Sequence, residues 1–162
     1  MKEVTIYTDG ACRGNPGPGG FAAVLMYKGR KKIISGSYRH TTNNRMEMMA
    51  VIKGLQTLRE RCNVSLYSDS KYICDAVNKG WMNKWKRLNW KRTPNDEVKN
   101  PDLWQMMDSI LKEHSVTLTW VKGHAENQFN NEADEAAVKA SKNTKDFKID
   151  SEFEKVSGLS FG

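Results

Sequence analysis

Apolar and polar residues alternate from the first positions of the chain, with Val4, Ile6 and Thr8 on one face and Thr5, Tyr7 and Asp9 on the other. This two-residue period, rich in β-branched side chains, predicts a strand over residues 2–9. A glycine- and proline-rich turn follows from Gly10 to Gly20, and residues 21–27 read as a second strand. Lys28 and Gly29 suit a hairpin tip that returns the chain as a third strand near residues 31–40. The period then changes. Met48, Val51, Ile52, Leu55 and Leu58 recur at three- and four-residue spacing, which predicts a helix over residues 45–59 capped by Thr42, Asn43 or Asn44. A fourth strand is expected at residues 64–69, and Ser70 caps a helix that ends near residue 78. Residues 79–92 form a basic, tryptophan-studded stretch read as helical, and helix signals resume over residues 101–112. Residues 116–121 read as the fifth strand, a loop with Gly123 and His124 follows, and residues 131–142 form the last helix. Residues 143–162 are polar, with Phe147, Phe153, Leu159 and Phe161 scattered through them, and read as a tail and a candidate for flexibility.

The first three strands make an antiparallel meander, and the two later strands each follow a helical crossover, which sets strands parallel. The expected fold is therefore α/β: a mixed five-stranded sheet, antiparallel meander plus parallel strands, flanked by helices. It occupies residues 1–142, with the basic stretch at 79–92 as a protrusion. No repeat or linker divides the chain, and 162 residues suffice for one core.

Composition narrows the partners. Lys and Arg outnumber Asp and Glu by 26 to 19, and the isoelectric point is near 9.3, a balance that favours a polyanion. No apolar run approaches membrane-spanning length, so no membrane partner is expected. The N-terminus reads as a strand from its first residues and has no signal-peptide core. Cys12, Cys62 and Cys74 are odd in number and form no CxxC pair, which suits reduced thiols in a cytoplasmic setting.

Two of the strands end alike: Ile6-Tyr7-Thr8-Asp9-Gly10 and Leu66-Tyr67-Ser68-Asp69-Ser70. Sites in open α/β sheets gather at the carboxyl ends of parallel strands, so neighbouring strands would set Asp9 and Asp69 side by side. Either aspartate alone is explained as well by turn or cap chemistry. Glu47, in NNRMEMMA, and Asp134, in NNEADEAA, both stand near helix starts, where the macrodipole favours acids without any catalytic role. Glu132 and Glu135 lie on other faces than Asp134. Phosphodiester hydrolysis needs an activated water and a stabilised leaving oxygen, which two Mg²⁺ ions roughly 4 Å apart can supply. Mg²⁺ takes carboxylate oxygens, whereas zinc would call for His and Cys clusters that are missing from the sequence.

These residues carry a resemblance. The segments YTDGACRGNPGPGG (7–20), TTNNRMEMMA (41–50), YSDSKYI (67–73), WMNKWKRLNWK (81–91) with NPDLWQ (100–105), and WVKGHAENQFNNEADEAA (120–137) resemble the bacterial type 1 ribonuclease H family, in its order and approximate spacing. The resemblance covers residues 2–142 and implies the ribonuclease H-like fold. It implies that Asp9, Glu47, Asp69 and Asp134 are the metal-binding and catalytic carboxylates. His124, on its glycine-flanked loop, would assist proton transfer or product departure. The implied reaction is endonucleolytic hydrolysis of the RNA strand of an RNA–DNA hybrid with two Mg²⁺ ions, Mn²⁺ being an acceptable substitute. Products would carry 5′-phosphate and 3′-hydroxyl ends, and the enzyme would act as a monomer. His114 has no motif around it.

An enzyme that cuts RNA alone must read the 2′-hydroxyl. By resemblance, Cys12, Asn15 and Asn43 are contact candidates, with Thr42 and Asn44 near a bound phosphate. Gly17 to Ala22 also fits a dinucleotide GxGxxA pattern, but a strand follows where that fingerprint needs a helix. In the protrusion Trp81, Lys84, Trp85, Lys86 and Arg87 are candidate contacts, since cations neutralise phosphates and indoles stack. Trp81 is the foremost of these, and Trp85 also suits the core. Lys71 stands where family members often carry glutamine, so that its contact would favour phosphate binding over discrimination. No second hybrid-binding module precedes the domain, which predicts modest processivity. The alternatives are a DNA nuclease or strand transferase built on the same acids, and a non-catalytic nucleic-acid-binding domain of the same fold. The second would be marked by loss of an acid, and all four acids are present.

Overall fold

The computed structural model describes residues 1–122 and 127–157. Strands β1 (Lys2–Cys12), β2 (Gly17–Tyr27) and β3 (Arg30–Thr41) form the meander. Helix α1 (Asn43–Gln56), strand β4 (Cys62–Ser68), helices α2 (Lys71–Asn78) and α3 (Trp81–Arg87), a small hairpin of β5 (Lys91–Thr93) and β6 (Asp96–Glu97), helix α4 (Pro101–Lys112), strand β7 (Ser115–Trp120), helix α5 (Gln128–Ser141) and helix α6 (Ser151–Ser157) follow. The main sheet has the order β3-β2-β1-β4-β7. β1, β2 and β3 pair antiparallel, while β1–β4 and β4–β7 pair parallel. The expected mixed five-stranded sheet is borne out. Among the described residues, no helix is long and apolar enough to cross a membrane.

Helices cover both faces of the sheet. α1 lies over Ile6 and Ala23, which its Gly54 approaches closely. α5 lies over the opposite face, because Gly20 is odd-spaced from Ala23 along β2. A Cβ at Gly20 would stand 2.5 Å from the Ser141 nitrogen and 2.6 Å from the Ala137 carbonyl oxygen. β2 begins at Gly17, inside the segment expected to be a turn: Gly20 is a strand residue that admits α5, and Gly19 one that admits Thr41 and Met46 on the other face. The core between sheet and α1 holds Ile6, Leu66, Met48, Ile52 and Leu55, all fully buried, and Trp104 of α4 joins it.

One expectation needs correction. The stretch at 79–92 is not one helix. α3 ends at Arg87, and Asn89 and Trp90 take left-handed backbone angles (φ 57° and 63°) that turn the chain into the β5–β6 hairpin. The Trp90 nitrogen donates to the Trp85 carbonyl (2.6 Å) to close that turn. In the polar segment after residue 142, read above as a tail, residues 148–154 dock against β3 and α1. Lys148 pairs with edge strand β3, donating to the Ser37 carbonyl (2.8 Å) and accepting from the Arg39 nitrogen (2.9 Å). The buried Asp150 then accepts from the Thr41 hydroxyl (2.7 Å) and from Arg45 Nε (2.7 Å) and Nη2 (2.9 Å). Glu154, also buried, takes the Arg39 guanidinium at 2.7 Å. Its polar composition concealed the docking, which rests on ion pairs to two arginines.

Candidate active site

The parallel register of β1 and β4 sets Tyr7 beside Tyr67, two residues before each strand's aspartate. Their rings stack at 5.2 Å, and the Thr8 hydroxyl donates to the Tyr67 carbonyl (3.0 Å). Asp9 and Asp69 therefore leave adjacent strands at one end of the sheet. Asp9 is buried, and its Oδ1 accepts from the Gly10 nitrogen (2.8 Å). Asp69 is exposed one residue beyond β4, where Ser70 caps α2 by accepting from the Ile73 nitrogen (3.3 Å).

Glu47 arrives from α1. The Thr42 hydroxyl caps that helix, accepting from the Arg45 nitrogen (3.3 Å). A Cβ at Gly10 would fall 2.5 Å from the Glu47 nitrogen and 2.6 Å from the Met46 carbonyl carbon. A residue without a Cβ is therefore what lets the helix close over the end of β1. Far from lying on a solvated helix face, Glu47 is 4% exposed, and its Oε2 has no hydrogen-bond partner among the described residues. Oxygens of Asp9, Glu47 and Asp69 lie within 4.8 Å of one another. Asp134, exposed on α5, lines the same cavity of about 220 Å³, together with Asn43, Lys122, Asn130 and Asn131. Glu132 instead pairs with Lys31 (2.8 Å).

The electrostatics follow from this crowding. Burial pushes the Asp9 carboxyl up to about 7, the Asp69 charge and the Asp134 carboxyl add to the rise, and hydrogen bonding to Glu47 and Gly10 opposes it. Burial also holds Glu47 well above the usual carboxylate range, and the charges of Asp9 and Asp69 push it further. Three converging carboxyls, one with a buried unpartnered oxygen, call for a compensating cation. An all-oxygen donor set fits a hard divalent ion such as Mg²⁺, not zinc.

The other sequence candidates fall into three groups. Cys12, Asn15 and Asn43 gather beside the cavity: the Cys12 thiol donates to the Gly17 and Thr41 carbonyls (3.4 Å each), and the Asn43 nitrogen donates to Asn15 Oδ1 (3.1 Å). Asn44 is exposed at the start of α1, next to the cap residue Thr42. On the protrusion, Trp81 is 37% exposed, Lys84 and Arg87 face solvent, and Lys86 reaches Asp108 (2.8 Å). Trp85 does not share that surface. It is buried, with its ring edge-on to Trp104 (5.3 Å), so it supports the protrusion from inside. His124 lies outside the described residues. His114 is buried and accepts from the Cys62 nitrogen at Nδ1 (3.1 Å), a structural role.

Arg45 was missed. It is buried between Asp150 and Asp102 (both 2.7 Å), and the partners hold its guanidinium protonated against the cost of burial. Its position three and seven residues before Met48 and Ile52 puts it on the apolar stripe, a legible sign of burial. Trp120 was missed too; its Nε1 donates to the Asp69 carbonyl (3.1 Å).

Known proteins similar to this chain in sequence and structure point one way. A family model described as RNase H matches residues 1–142. The ribonuclease H of Desulforamulus reducens is 51% identical over 142 residues, covering 88% of this chain and 89% of that protein. The ribonuclease H of Chlorobium phaeobacteroides is 52% identical over 145 residues, covering 90% and 99%. Among solved structures, LC9-RNase H1, a type 1 RNase H with the type 2 active-site motif, superimposes with a TM-score of 0.79 at 30% identity, over 97% of this chain and 81% of that one. LC11-RNase H1, solved in complex with an RNA/DNA hybrid, shares the fold (TM-score 0.63, 24% identity, 85% and 95% coverage). With the family model spanning most of its length and relatives identical at half their positions, the chain belongs to the RNase H family.

Proposed function

We propose that the protein is an endonuclease that hydrolyses the RNA strand of RNA–DNA hybrids, with Asp9, Glu47, Asp69 and Asp134 as its metal-binding carboxylates. The observation that carries this reading is the convergence of Asp9, Glu47 and Asp69 with a buried, unpartnered Glu47 oxygen, at a cavity that Asp134 also lines. Two Mg²⁺ ions held there would supply an activated water and a stabilised leaving 3′ oxygen, consistent with 5′-phosphate and 3′-hydroxyl products. The chain's own residues do the rest. Asp9 and Glu47 are fixed by burial and by the β1–α1 contact, so the donor set is organised before substrate arrives. Asn43, beside the cavity and tied to Asn15, offers polar groups where a 2′-hydroxyl must be read. Trp81, Lys84 and Arg87 present an exposed indole and two cations for the other strand. We assign His124 the proton-handling role that the family resemblance implies, and a monomer suffices because all four acids come from one chain. The three free thiols are consistent with the cytoplasm.

A duplex with differently labelled RNA and DNA strands tests the reading, with all-DNA and all-RNA duplexes beside it. The expected result is Mg²⁺-dependent cutting of the RNA strand in the hybrid, absent in Asp69→Asn. Folded wild type that binds the hybrid without cutting it would favour the non-catalytic alternative. Cutting of all-DNA duplex would favour a DNA nuclease.

A further inference from the structure

Trp120 closes β7 at the sheet end that carries the carboxylates, and its side chain is 44% exposed. Core packing therefore does not account for it. Two contacts do. Its indole N–H reaches the Asp69 carbonyl oxygen (3.1 Å), and the Lys71 ammonium lies 5.6 Å from its ring centroid. Ser68 and Trp120 form the last β4–β7 pair, and the Val121 nitrogen donates to the Ser68 carbonyl (2.9 Å). Asp69 stands just past that last pair, where ladder bonds no longer hold the backbone. The indole N–H continues the hold by one residue, up to the carboxylate that the site needs.

Lys71 requires its own explanation. It is the first residue of α2, and a cation in a helix's first turn is disfavoured by the dipole. Helix stability thus gives no reason for it, and the ring face of Trp120 supplies the local attraction that holds it. Lys71 is exposed, two residues after Asp69 in the chain and against the indole that holds the Asp69 carbonyl.

We propose that Trp120 is a positioning residue with two contacts that matter: its indole N–H fixes the backbone carrying Asp69, and its ring face holds the Lys71 ammonium in place for the phosphate contact that the family resemblance already implies for Lys71. The proposal rests on the ribonuclease H reading for the identity of the polyanion. Lys71 then contributes charge and no base or sugar discrimination, since an ammonium is a point cation.

The test compares wild type with Lys71→Gln, Lys71→Arg, Trp120→Phe and Trp120→Leu, all checked for folding by thermal melting. Hybrid binding is measured by fluorescence anisotropy in EDTA over a salt series, and Mg²⁺ binding to the free protein by calorimetry. Lys71→Gln is expected to weaken hybrid binding several-fold and to flatten the slope of log K against log salt by about one, the signature of one lost phosphate contact. Lys71→Arg restores both. Trp120→Phe keeps the ring and loses the N–H, so the salt slope stays while Mg²⁺ affinity falls several-fold. Trp120→Leu loses both. An unchanged salt slope in Lys71→Gln, or wild-type Mg²⁺ affinity in Trp120→Phe, overturns the proposal; both variants are conservative enough to decide it if Trp120→Leu fails to fold. Wild type that binds the hybrid with these slopes and does not cut it would sink the catalytic reading and support this one.

Discussion

Replacing Asp9 by Asn should make the metal-free protein more stable, and the gain should depend on pH. The folded chain raises the Asp9 carboxyl from 3.8 to about 7, chiefly by burial, with the neighbouring acids adding to it. Between those values the folded protein holds a proton that the unfolded chain has released. Stability therefore falls as pH rises through that window, and the whole cost stands above about pH 7. Each pH unit of such a window corresponds to about 1.4 kcal/mol, so the full gap of about three units bounds the penalty near ~4 kcal/mol. Glu47, buried beside Asp9 and also raised, keeps its own share of the cost, so the part removed with Asp9 alone should be ~1–3 kcal/mol. Asparagine keeps an oxygen for the Gly10 N–H, so the backbone contact survives the change. Urea denaturation in EDTA at several pH values measures the difference. It should be near zero at about pH 4 and reach its full value at about pH 8. Millimolar Mg²⁺ should raise the wild-type midpoint and leave that of the variant nearly unmoved, with cleavage abolished in the variant. A variant less stable than wild type at high pH would refute the reasoning and make Asp9 a structural cap. A gain of the same size at every pH would also refute it, because the cost of ionising a buried carboxyl could not be its source.

Asp150→Ala should cost ~2–4 kcal/mol in urea denaturation, since it strips one of two partners from the buried Arg45 guanidinium. The same loss on deleting residues 143–162 would confirm that the docked segment acts through this pair. Trp85→Ala should cost ~3–5 kcal/mol, as loss of a buried aromatic does, whereas Trp81→Ala should leave stability nearly unchanged and weaken hybrid binding by ~1–3 kcal/mol. Equal effects of the two tryptophan changes on binding would mean that the protrusion is not divided into an inner and an outer face.

Much of this architecture was legible because its signals are local. The two-residue period of β1, the change of period at α1 and the matched endings of β1 and β4 each report on a few neighbouring residues, and the pairing of Tyr7 with Tyr67 follows from them. What escaped notice was long-range. Nothing near Asp150 announces Arg45, which stands 105 residues earlier. A docked segment held by ion pairs has the composition of a solvated one. Glu47 was ambiguous for the opposite reason, since an acid near a helix start has a sufficient local explanation in the dipole. Only the approach permitted by Gly10 shows that this acid is buried beside Asp9. Trp85 and Trp81 look alike in sequence, and their separation into core and surface depends on where α4 places Trp104.

The fold and the chemistry meet in the cost of assembling the acids. A parallel pair of strands brings Asp9 and Asp69 to one edge, and a glycine lets α1 add Glu47 at van der Waals range. Each step improves packing between sheet and helix, and each raises the electrostatic cost of ionising the cluster. The energy that compensates this cost lies away from the site. The cluster sits at one end of a sheet whose α1 face is densely apolar. The helix that delivers Glu47 is also anchored two residues earlier, where Arg45 grips Asp102 and Asp150. The start of α1 is thus loaded with opposing charge networks two residues apart, a satisfied one at Arg45 and an unsatisfied one at Glu47. Relaxation of the carboxylates apart from one another would pull on the Arg45 network, so the site keeps its donors converged before any cation binds. Loosening that anchor should therefore lower Mg²⁺ affinity as well as stability, and calorimetry on Asp150→Ala at a temperature where it remains folded can separate the two. Unchanged Mg²⁺ affinity in that variant would show that β1 and Gly10 alone hold Glu47 in place.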